Sequence, residues 1–286
     1  MEFLEIIKAI ILGIVEGITE WLPISSTGHM ILVDEFLKLN VSKEFMDMFL
    51  VVIQLGAIFA VILLYWKKIF PFKYDNGIKI EKDTFIMWIK IIVACLPAAI
   101  VGLLFDDKLN ELFFNPTTVA IMLILFGILF IVIENYNKGK KSNINSLAEI
   151  TYTVAIMIGL FQLIAAIFPG TSRSGATIVG ALLIGVSRTV AAEFTFFLAI
   201  PVMFGASALK LVKFGLDTGF AMTGNELTIL LVRMVVAFWV SILAIKFHLA
   251  QGSVIYLFCS NISSAWDLCV VPSFSETSFL ATTSDI

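Results

Sequence analysis

Two long apolar stretches of this sequence are each interrupted near the middle by proline, glycine and hydroxyl-bearing residues. Residues 16–29 read EGITEWLPISSTGH, and residues 162–175 read QLIAAIFPGTSRSG. A membrane-spanning helix needs about 20 consecutive apolar residues, and neither stretch supplies them without a break. Irregular backbone at membrane depth is tolerated only where protein shields it or where it lines a wet cavity. Each stretch is therefore predicted to form a re-entrant helix–loop–helix element.

The rest of the chain contains five unbroken apolar runs of about spanning length. With 59% hydrophobic and 14% charged residues, the composition is that of an all-α polytopic membrane protein. The first run lacks a basic start and a small-residue cleavage site, so it is not interpreted as a removable signal peptide. The net charge of −3 gives no case for nucleic-acid binding, and three scattered cysteines predict no disulfide or zinc framework. The predicted spans are 45–66, 85–105, 117–134, 190–212 and 227–247.

The loops between the spans predict an orientation in the membrane. Lysines are concentrated in loops 67–82 and 138–141, which the positive-inside rule places in the cytoplasm. The acidic loop 106–111 and the loop 217–226, which lacks lysine and arginine, are then outside. It follows that the first re-entrant element enters from the outer face and the second from the cytoplasm.

An internal repeat relates the two interrupted stretches. Three spans separate them, an odd number, so the second copy must be inverted relative to the first, and such folds place their site between the repeats near the midplane. The predicted units are a first repeat (1–134), a basic cytoplasmic loop (135–149), a second repeat (150–250) and a divergent tail (251–286). At an offset of 146 positions, Gly13 matches Gly159, Pro23 matches Pro169 and Ser26 matches Ser172.

Two carboxylates mark the first stretch as a candidate site. Glu16 and Glu20 are four residues apart and therefore share one helix face. Such a pair can hold a divalent cation or share a proton. The alternative is a neutral, structural pair, which is less favoured because unpaired acids in an apolar helix are costly.

The turn that follows carries groups suited to phosphate. Ser25, Ser26, Thr27 and Gly28 offer hydroxyl and backbone donors, although the same hydroxyls could instead satisfy their own backbone. His29, next to this turn and close to two carboxylates, is a candidate general acid or base or a nucleophile.

The second stretch supplies the positive charge. Arg173, flanked by Ser172 and Ser174, has no acidic partner nearby in sequence, and its planar fork suits two oxygens of one phosphate. A salt bridge to one of the two glutamates is the alternative. Gln54 and Glu193 are polar residues within predicted spans. For each of them, one interpretation is a supporting role at the site and the other is a structural hydrogen bond.

These residues lie in segments that resemble a known family. EGITEWLPISSTGHM and PGTSRSGATIVGALLIGVSR are similar to the two signature motifs of the undecaprenyl-diphosphate phosphatase, or bacitracin-resistance, family, and the resemblance covers about residues 1–249. It implies a cell-membrane phosphatase that converts a polyprenyl diphosphate to the monophosphate and recycles the lipid carrier for cell-wall synthesis. It also implies dependence on a divalent cation (Mg²⁺ or Ca²⁺), a site open to the outer face, and a homodimer.

The resemblance also assigns roles to residues. Glu16 and Glu20 would handle the metal and protons, and Ser26 or His29 would be the nucleophile. Thr27, Ser172, Arg173 and Ser174 would hold the diphosphate. Apart from the resemblance, Arg173 is also predicted to be catalytic, and Ser25, Gly28 and Gln54 are predicted to bind substrate.

The tail departs from the family, which ends in a further apolar span. Residues 251–286 contain no run of spanning length and are rich in Ser and Thr. A frameshift or divergence at the gene end would explain this, and it puts the activity and dimerisation of this chain in question. The main alternative function is a transporter or flippase for an anionic lipid or a small anion, because inverted repeats with re-entrant loops are transporter architecture. An inactive paralogue is the third reading.

Overall fold

The structure is a computed structural model in which residues 3–37, 39, 41–74, 78–113, 115–137 and 139–251 are described. The prediction that a divergent tail replaces a last span therefore lies outside the described residues. In chain order the helices are α1 (Phe3–Thr19), α2 (Ser26–Leu37), α3 (Lys43–Val52), α4 (Gln54–Leu64), α5 (Trp66–Ile69), α6 (Lys82–Phe113), α7 (Pro116–Asn137), α8 (Tyr152–Ile167), α9 (Arg173–Ile184), α10 (Arg188–Thr218) and α11 (Gly224–Gln251), with a 3₁₀ turn at Leu147–Glu149.

Five helical segments among the described residues are long and apolar enough to cross a membrane. This confirms the five predicted spans and the all-α polytopic class. The first of them runs through α3 and α4, which meet at Ile53. The segments are Glu44–Leu64, Lys82–Phe105, Thr117–Asn137, Arg188–Thr218 and Gly224–Phe247.

Helix α6 runs well past its predicted end, so the prediction of an acidic loop at 106–111 is wrong. Residues 106–113 read DDKLNELF, and no glycine or proline follows Phe105 until Pro116. Leu, Lys and Glu favour helix, and nothing in this segment breaks it. The polar residues therefore extend the helix beyond its apolar part.

The lysine-rich segment 67–82 is also more ordered than predicted. It contains α5 and a two-stranded antiparallel sheet of β1 (Phe72–Tyr74) and β2 (Ile78–Ile80), with Phe72 opposite Ile80. Its cytoplasmic location stays a prediction.

Two helix–turn–helix hairpins match the two interrupted stretches. The first hairpin is α1 and α2, and the second is α8 and α9. The second arms, α2 and α9, have 12 residues each, which is too short to cross about 30 Å of hydrocarbon. Trp21 anchors the first turn because its ring is fully buried, with its centroid 5.2 Å from that of Phe196 of α10 in an edge-to-face contact. That the hairpins enter the membrane from opposite faces stays a prediction.

The long arm of each hairpin packs against a helix from the other predicted repeat: α1 lies along α11, and α8 lies along α6. Glycines allow both close approaches. A Cβ atom at Gly17 would lie 2.7 Å from the Cβ of Val240, and one at Gly159 would collide with the carbonyl oxygen of Ala94. The repeat boundaries stay a prediction. If a symmetry axis between the two hairpins relates the repeats, the long arm of each hairpin should pack against a helix of the other repeat, as these two do.

The structure corrects one pairing within the proposed repeat. Ser25 and Ser172, not Ser26 and Ser172, occupy equivalent positions. Both have a positive φ, 60° and 61°, and each hydroxyl accepts the N–H of the glycine three residues on, Gly28 at 3.3 Å and Gly175 at 3.2 Å. The offset between the two copies increases by one residue here, because the second turn has one more residue between its proline and this serine than the first turn has.

The packing of α8 on α6 gives a stability prediction. Replacing Gly159 by alanine should destabilise the protein by about 1–3 kcal/mol, because the new methyl group meets backbone that cannot rotate away. Thermal unfolding in detergent would measure this. Gly102→Ala on α6 is the matched control, since nothing lies within 4 Å of a Cβ at Gly102. Equal unfolding temperatures for the two variants would contradict the close approach.

Candidate active site

Glu20 joins the two hairpins. It follows the last turn of α1, and its carboxylate is 6% exposed. One oxygen accepts a hydrogen bond from the Ser26 hydroxyl at 2.5 Å, and the other accepts from Nη2 of Arg173 at 2.7 Å. A single carboxylate therefore contacts the hydroxyl of one hairpin and the guanidinium of the other.

The start of α9 also contacts the backbone of the first turn. The Ser174 hydroxyl lies 3.4 Å from the Glu20 carbonyl oxygen and 3.3 Å from that of Leu22. Its neighbour Ser172 lies 3.2 Å away, hydroxyl to hydroxyl. These contacts seat the N-terminus of α9 against the turn that carries Glu20.

Both short arms therefore begin at the same place. Helix α2 starts at Ser26 and α9 starts at Arg173, and the Glu20 carboxylate contacts both residues. Helix N-termini carry unpaired N–H groups and a partial positive charge, and they favour anions. Two such termini and a guanidinium make this junction suited to a phosphate group.

Glu16 lies one turn before Glu20 on the predicted common face. Its side chain is 1% exposed. The Oε1 atom of Glu16 has no partner among the described residues. Arg233 is fully buried on α11, the helix that packs along α1. The sequence analysis did not single out Arg233, although an arginine within a predicted span is by default a candidate functional residue.

Several other polar atoms at this end of the second hairpin are buried without a partner among the described residues. They are Nη1 of Arg173, Oγ1 of Thr171, and both amide atoms of Gln162. Buried polar groups normally find partners, in protein or in water. Arg173 thus retains a donor that an incoming oxygen can use while its other nitrogen holds Glu20.

His29 lies within the first turns of α2 and is half-buried. Its Nδ1 atom is 2.9 Å from the carbonyl oxygen of Ser25. A carbonyl can only accept, so Nδ1 must carry the proton, and in the neutral ring Nε2 is then the basic nitrogen. Thr27 and Gly28 occupy the same first turn.

The two polar residues predicted within the spans stand differently in the structure. Glu193 pairs with Lys68 at 2.7 Å, so its structural interpretation is the correct one. Gln54 begins α4 at the helix break, and its side chain makes no hydrogen bond to the hairpins as far as the structure describes them. A role for Gln54 in binding substrate stays a prediction.

The residues at the junction place a limit on any metal site. Within the described part of the chain, no three His, Cys, Asp or Glu side chains lie close enough to hold a metal ion. Glu16 and Glu20 are two carboxylates, and the unpartnered oxygen of Glu16 is free to ligate. Mg²⁺ is often held in this way, by one or two carboxylates together with substrate phosphates. The residues fit a cation that shares its ligands with a phosphate substrate.

Comparison with known proteins shows which family this sequence matches. The family model described as bacitracin resistance protein BacA matches residues 9–255. The undecaprenyl-diphosphatase of Desulfitobacterium hafniense is 72% identical over 247 residues, which cover 86% of this chain and 87% of that protein. Undecaprenyl-diphosphatase 1 of Clostridium acetobutylicum is 69% identical (86% and 89% covered), and an undecaprenyl-diphosphatase of Enterococcus faecalis is 61% identical (86% and 88% covered).

Proposed function

Because the chain belongs to the bacitracin resistance protein BacA family, we propose that it is a membrane-embedded undecaprenyl-diphosphatase. It hydrolyses undecaprenyl diphosphate to the monophosphate and phosphate, which returns the lipid carrier to cell-wall synthesis and gives resistance to bacitracin. The observation that carries this proposal is the Glu20 carboxylate, which contacts a hydroxyl from one hairpin and a guanidinium from the other. A nucleophile, a base and an anion-binding group are thereby held together.

The terminal phosphate of the substrate binds first. Nη1 of Arg173 takes one of its oxygens, and the N-termini of α2 and α9 take others. The hydroxyls of Thr27, Ser172 and Ser174 lie in the turns at these termini and can donate to the same group. The phosphorus atom is then next to the Ser26 hydroxyl, which already contacts Glu20.

The Ser26 hydroxyl is the better placed of the two candidate nucleophiles. Its Oγ attacks the terminal phosphorus while its proton passes to Glu20, and the bond to the bridging oxygen breaks, releasing the polyprenyl monophosphate. Glu20 passes this proton to the departing monophosphate. Water then attacks the serine phosphoester and gives a proton to Glu20, which returns it to the Ser26 oxygen as inorganic phosphate leaves. His29 is the alternative nucleophile through Nε2, and otherwise serves as a general acid or base.

A divalent cation, Mg²⁺ or Ca²⁺, belongs to this proposal. Glu16 and Glu20 would hold it together with substrate oxygens. When bound, it would neutralise charge on the diphosphate. Glu20 would then have to leave Arg173, whose guanidinium could turn fully to the phosphate.

The proposal also places the protein in the cell membrane, as a homodimer, with the site open to the outer face. The orientation is supported by charge. Lys67, Lys68, Lys140 and Lys141 lie in the connections predicted to be cytoplasmic, whereas residues 217–226 between α10 and α11 contain no lysine or arginine. The homodimer is supported by the family resemblance.

The purified full chain in detergent tests this function. Phosphate release from undecaprenyl or farnesyl diphosphate is expected, and EDTA should lower it by roughly a hundredfold because the charge on the diphosphate is no longer neutralised. Excess Mg²⁺ or Ca²⁺ should restore it. An activity that EDTA does not change would show that the reaction needs no divalent cation. Movement of the lipid or an anion across vesicles without phosphate release would favour a transporter.

A further inference from the structure

We propose that a cavity at the ends of α7 and α9 binds the phosphate of an anionic phospholipid headgroup. The cavity has a volume of about 260 Å³ and lies between these two helix ends, the connection that follows α7, and the start of α10. It is separate from the catalytic junction, because α9 begins at Arg173 and ends at Ile184, about 16 Å further along the helix axis. The inference goes beyond the proposed function and does not depend on it.

Positive charge is concentrated around this cavity. Lys140, Lys141 and Arg188 line it, and none of the lining residues that the structure describes is acidic. Lys140 lies over the ring of Tyr136, with Nζ 3.0 Å from the ring centre. Both lysines are exposed, and neither forms an ion pair with another described residue. Their ammonium groups can therefore donate to an anion from outside the protein.

Backbone contacts hold the cavity in shape and add to its preference for anions. The N–H of Asn143 donates to the carbonyl oxygen of Gly185 at 2.9 Å. The N–H of Ser187 donates to the carbonyl oxygen of Ile144 at 2.8 Å, so the connection after α7 is fixed to the start of α10. Ser187 is the N-cap of α10, and its hydroxyl makes no capping hydrogen bond. The positive end of this long helix thus adds to the charge of the lysines.

The helix ends beside the lysines do not account for them. Cations often neutralise the free carbonyl groups at the C-terminus of a helix. At the end of α9 such carbonyls already have partners: that of Leu182 accepts from the Asn137 side chain at 3.3 Å, and that of Ala181 accepts from the N–H of Val186 at 3.0 Å. The positive-inside rule explains lysines in this connection, but it does not explain a cavity that they line.

The position of the cavity favours a lipid over a soluble anion. One spanning segment ends beside it and another begins there, so the cavity lies at the depth of the lipid headgroups. Tyr136 and Leu183 line it and are 61% and 46% exposed, which provides apolar surface for the lipid next to the positive charge. Basic pockets between membrane helices on the cytoplasmic side, where this connection is predicted to lie, bind phosphorylated lipid headgroups.

Native mass spectrometry of the full chain in detergent tests this site, with phosphatidylglycerol and phosphatidylcholine of identical acyl chains as probes. Lys140→Gln/Lys141→Gln should weaken phosphatidylglycerol binding by about 25-fold, since each lysine near an anionic headgroup contributes about fivefold. Phosphatidylcholine binding should not change. Lys67→Gln/Lys82→Gln is the matched control, because it removes the same charge from exposed lysines of the other predicted cytoplasmic connection, outside the cavity. Equal losses in the two double variants, or no loss in the first, would overturn the proposal.

Thermal unfolding separates a lipid from a free anion. Phosphatidylglycerol should raise the unfolding temperature of the wild type and of the control variant, but not that of Lys140→Gln/Lys141→Gln. Inorganic phosphate at the same concentration should raise none of them. A shift with phosphate as large as that with the lipid would identify a site for free anions and would overturn the lipid assignment. Failure of Lys140→Gln/Lys141→Gln to fold would show that the lysines are structural, and it would overturn the proposal as well.

Discussion

Replacing Glu20 by glutamine is expected to lower kcat by about a thousandfold while the chain still folds. The amide keeps the size of the side chain and can still accept one hydrogen bond, but it cannot take the Ser26 proton or balance the charge of Arg173. The steady-state rate of phosphate release, with the unfolding temperature as a check on folding, measures the effect.

Glu149→Gln is the matched control for this substitution. Glu149 also accepts two hydrogen bonds, from the Asn145 backbone and the Ser146 hydroxyl at 2.8 Å each, but it lies in the connection between α7 and α8. It should leave the rate unchanged. A Glu20→Gln enzyme within tenfold of wild-type activity would refute the role of Glu20 as base.

Ser26→Ala is expected to lower kcat by roughly a thousandfold or more, because the attacking oxygen is removed. The stronger test is the covalent intermediate. Rapid acid quenching of wild type with substrate labelled in its terminal phosphate should trap an acid-stable phosphoester on serine. In Ser26→Ala this label should be absent.

The same experiment distinguishes the two nucleophiles. If Nε2 of His29 attacks, the label is acid-labile, stable to base, and still forms in Ser26→Ala. Ser207→Ala controls for loss of a buried serine, because Ser207 lies on α10 and its hydroxyl contacts the carbonyl oxygen of Val51. Its label and rate should match wild type.

The sequence was most informative where polar residues interrupt apolar runs. Pro23 and Pro169, each followed by hydroxyls, mark turns that only a shielded hairpin explains, and the structure places hairpins there. The repeat indicated that the two turns would lie near each other, because it put each at an equivalent place in an inverted half. Contact between Glu20 and Arg173 follows from that symmetry and could not follow from their spacing in the chain.

Three features depend on three-dimensional packing and backbone geometry. The backbone angles show that Ser25, and not Ser26, is equivalent to Ser172 in the repeat. The sequence could not show this, because an added residue in a turn leaves the pattern of residue types almost unchanged. The extension of α6 to Phe113 depends on polar residues that are compatible with either helix or loop. The complete burial of Arg233 depends on what packs around it, which hydropathy does not report.

One missed element did have a sequence signal. Residues 72–80 read FKYDNGIKI, in which an Asn-Gly pair separates two short runs that alternate apolar and polar residues. Asn-Gly between such runs is typical of a tight hairpin. The prediction of a loop at 67–82 rests on its lysines, which report topology and not local structure.

The exchange of helix partners has a consequence for biogenesis. During synthesis, α1 is made early but its packing partner α11 emerges more than two hundred residues later. Until then the long arm of the first hairpin lacks the helix that packs along it, and a ribosome stalled before α11 would leave an inactive product in the translocon. Two separately expressed halves should therefore regain activity only when they are produced in the same cell.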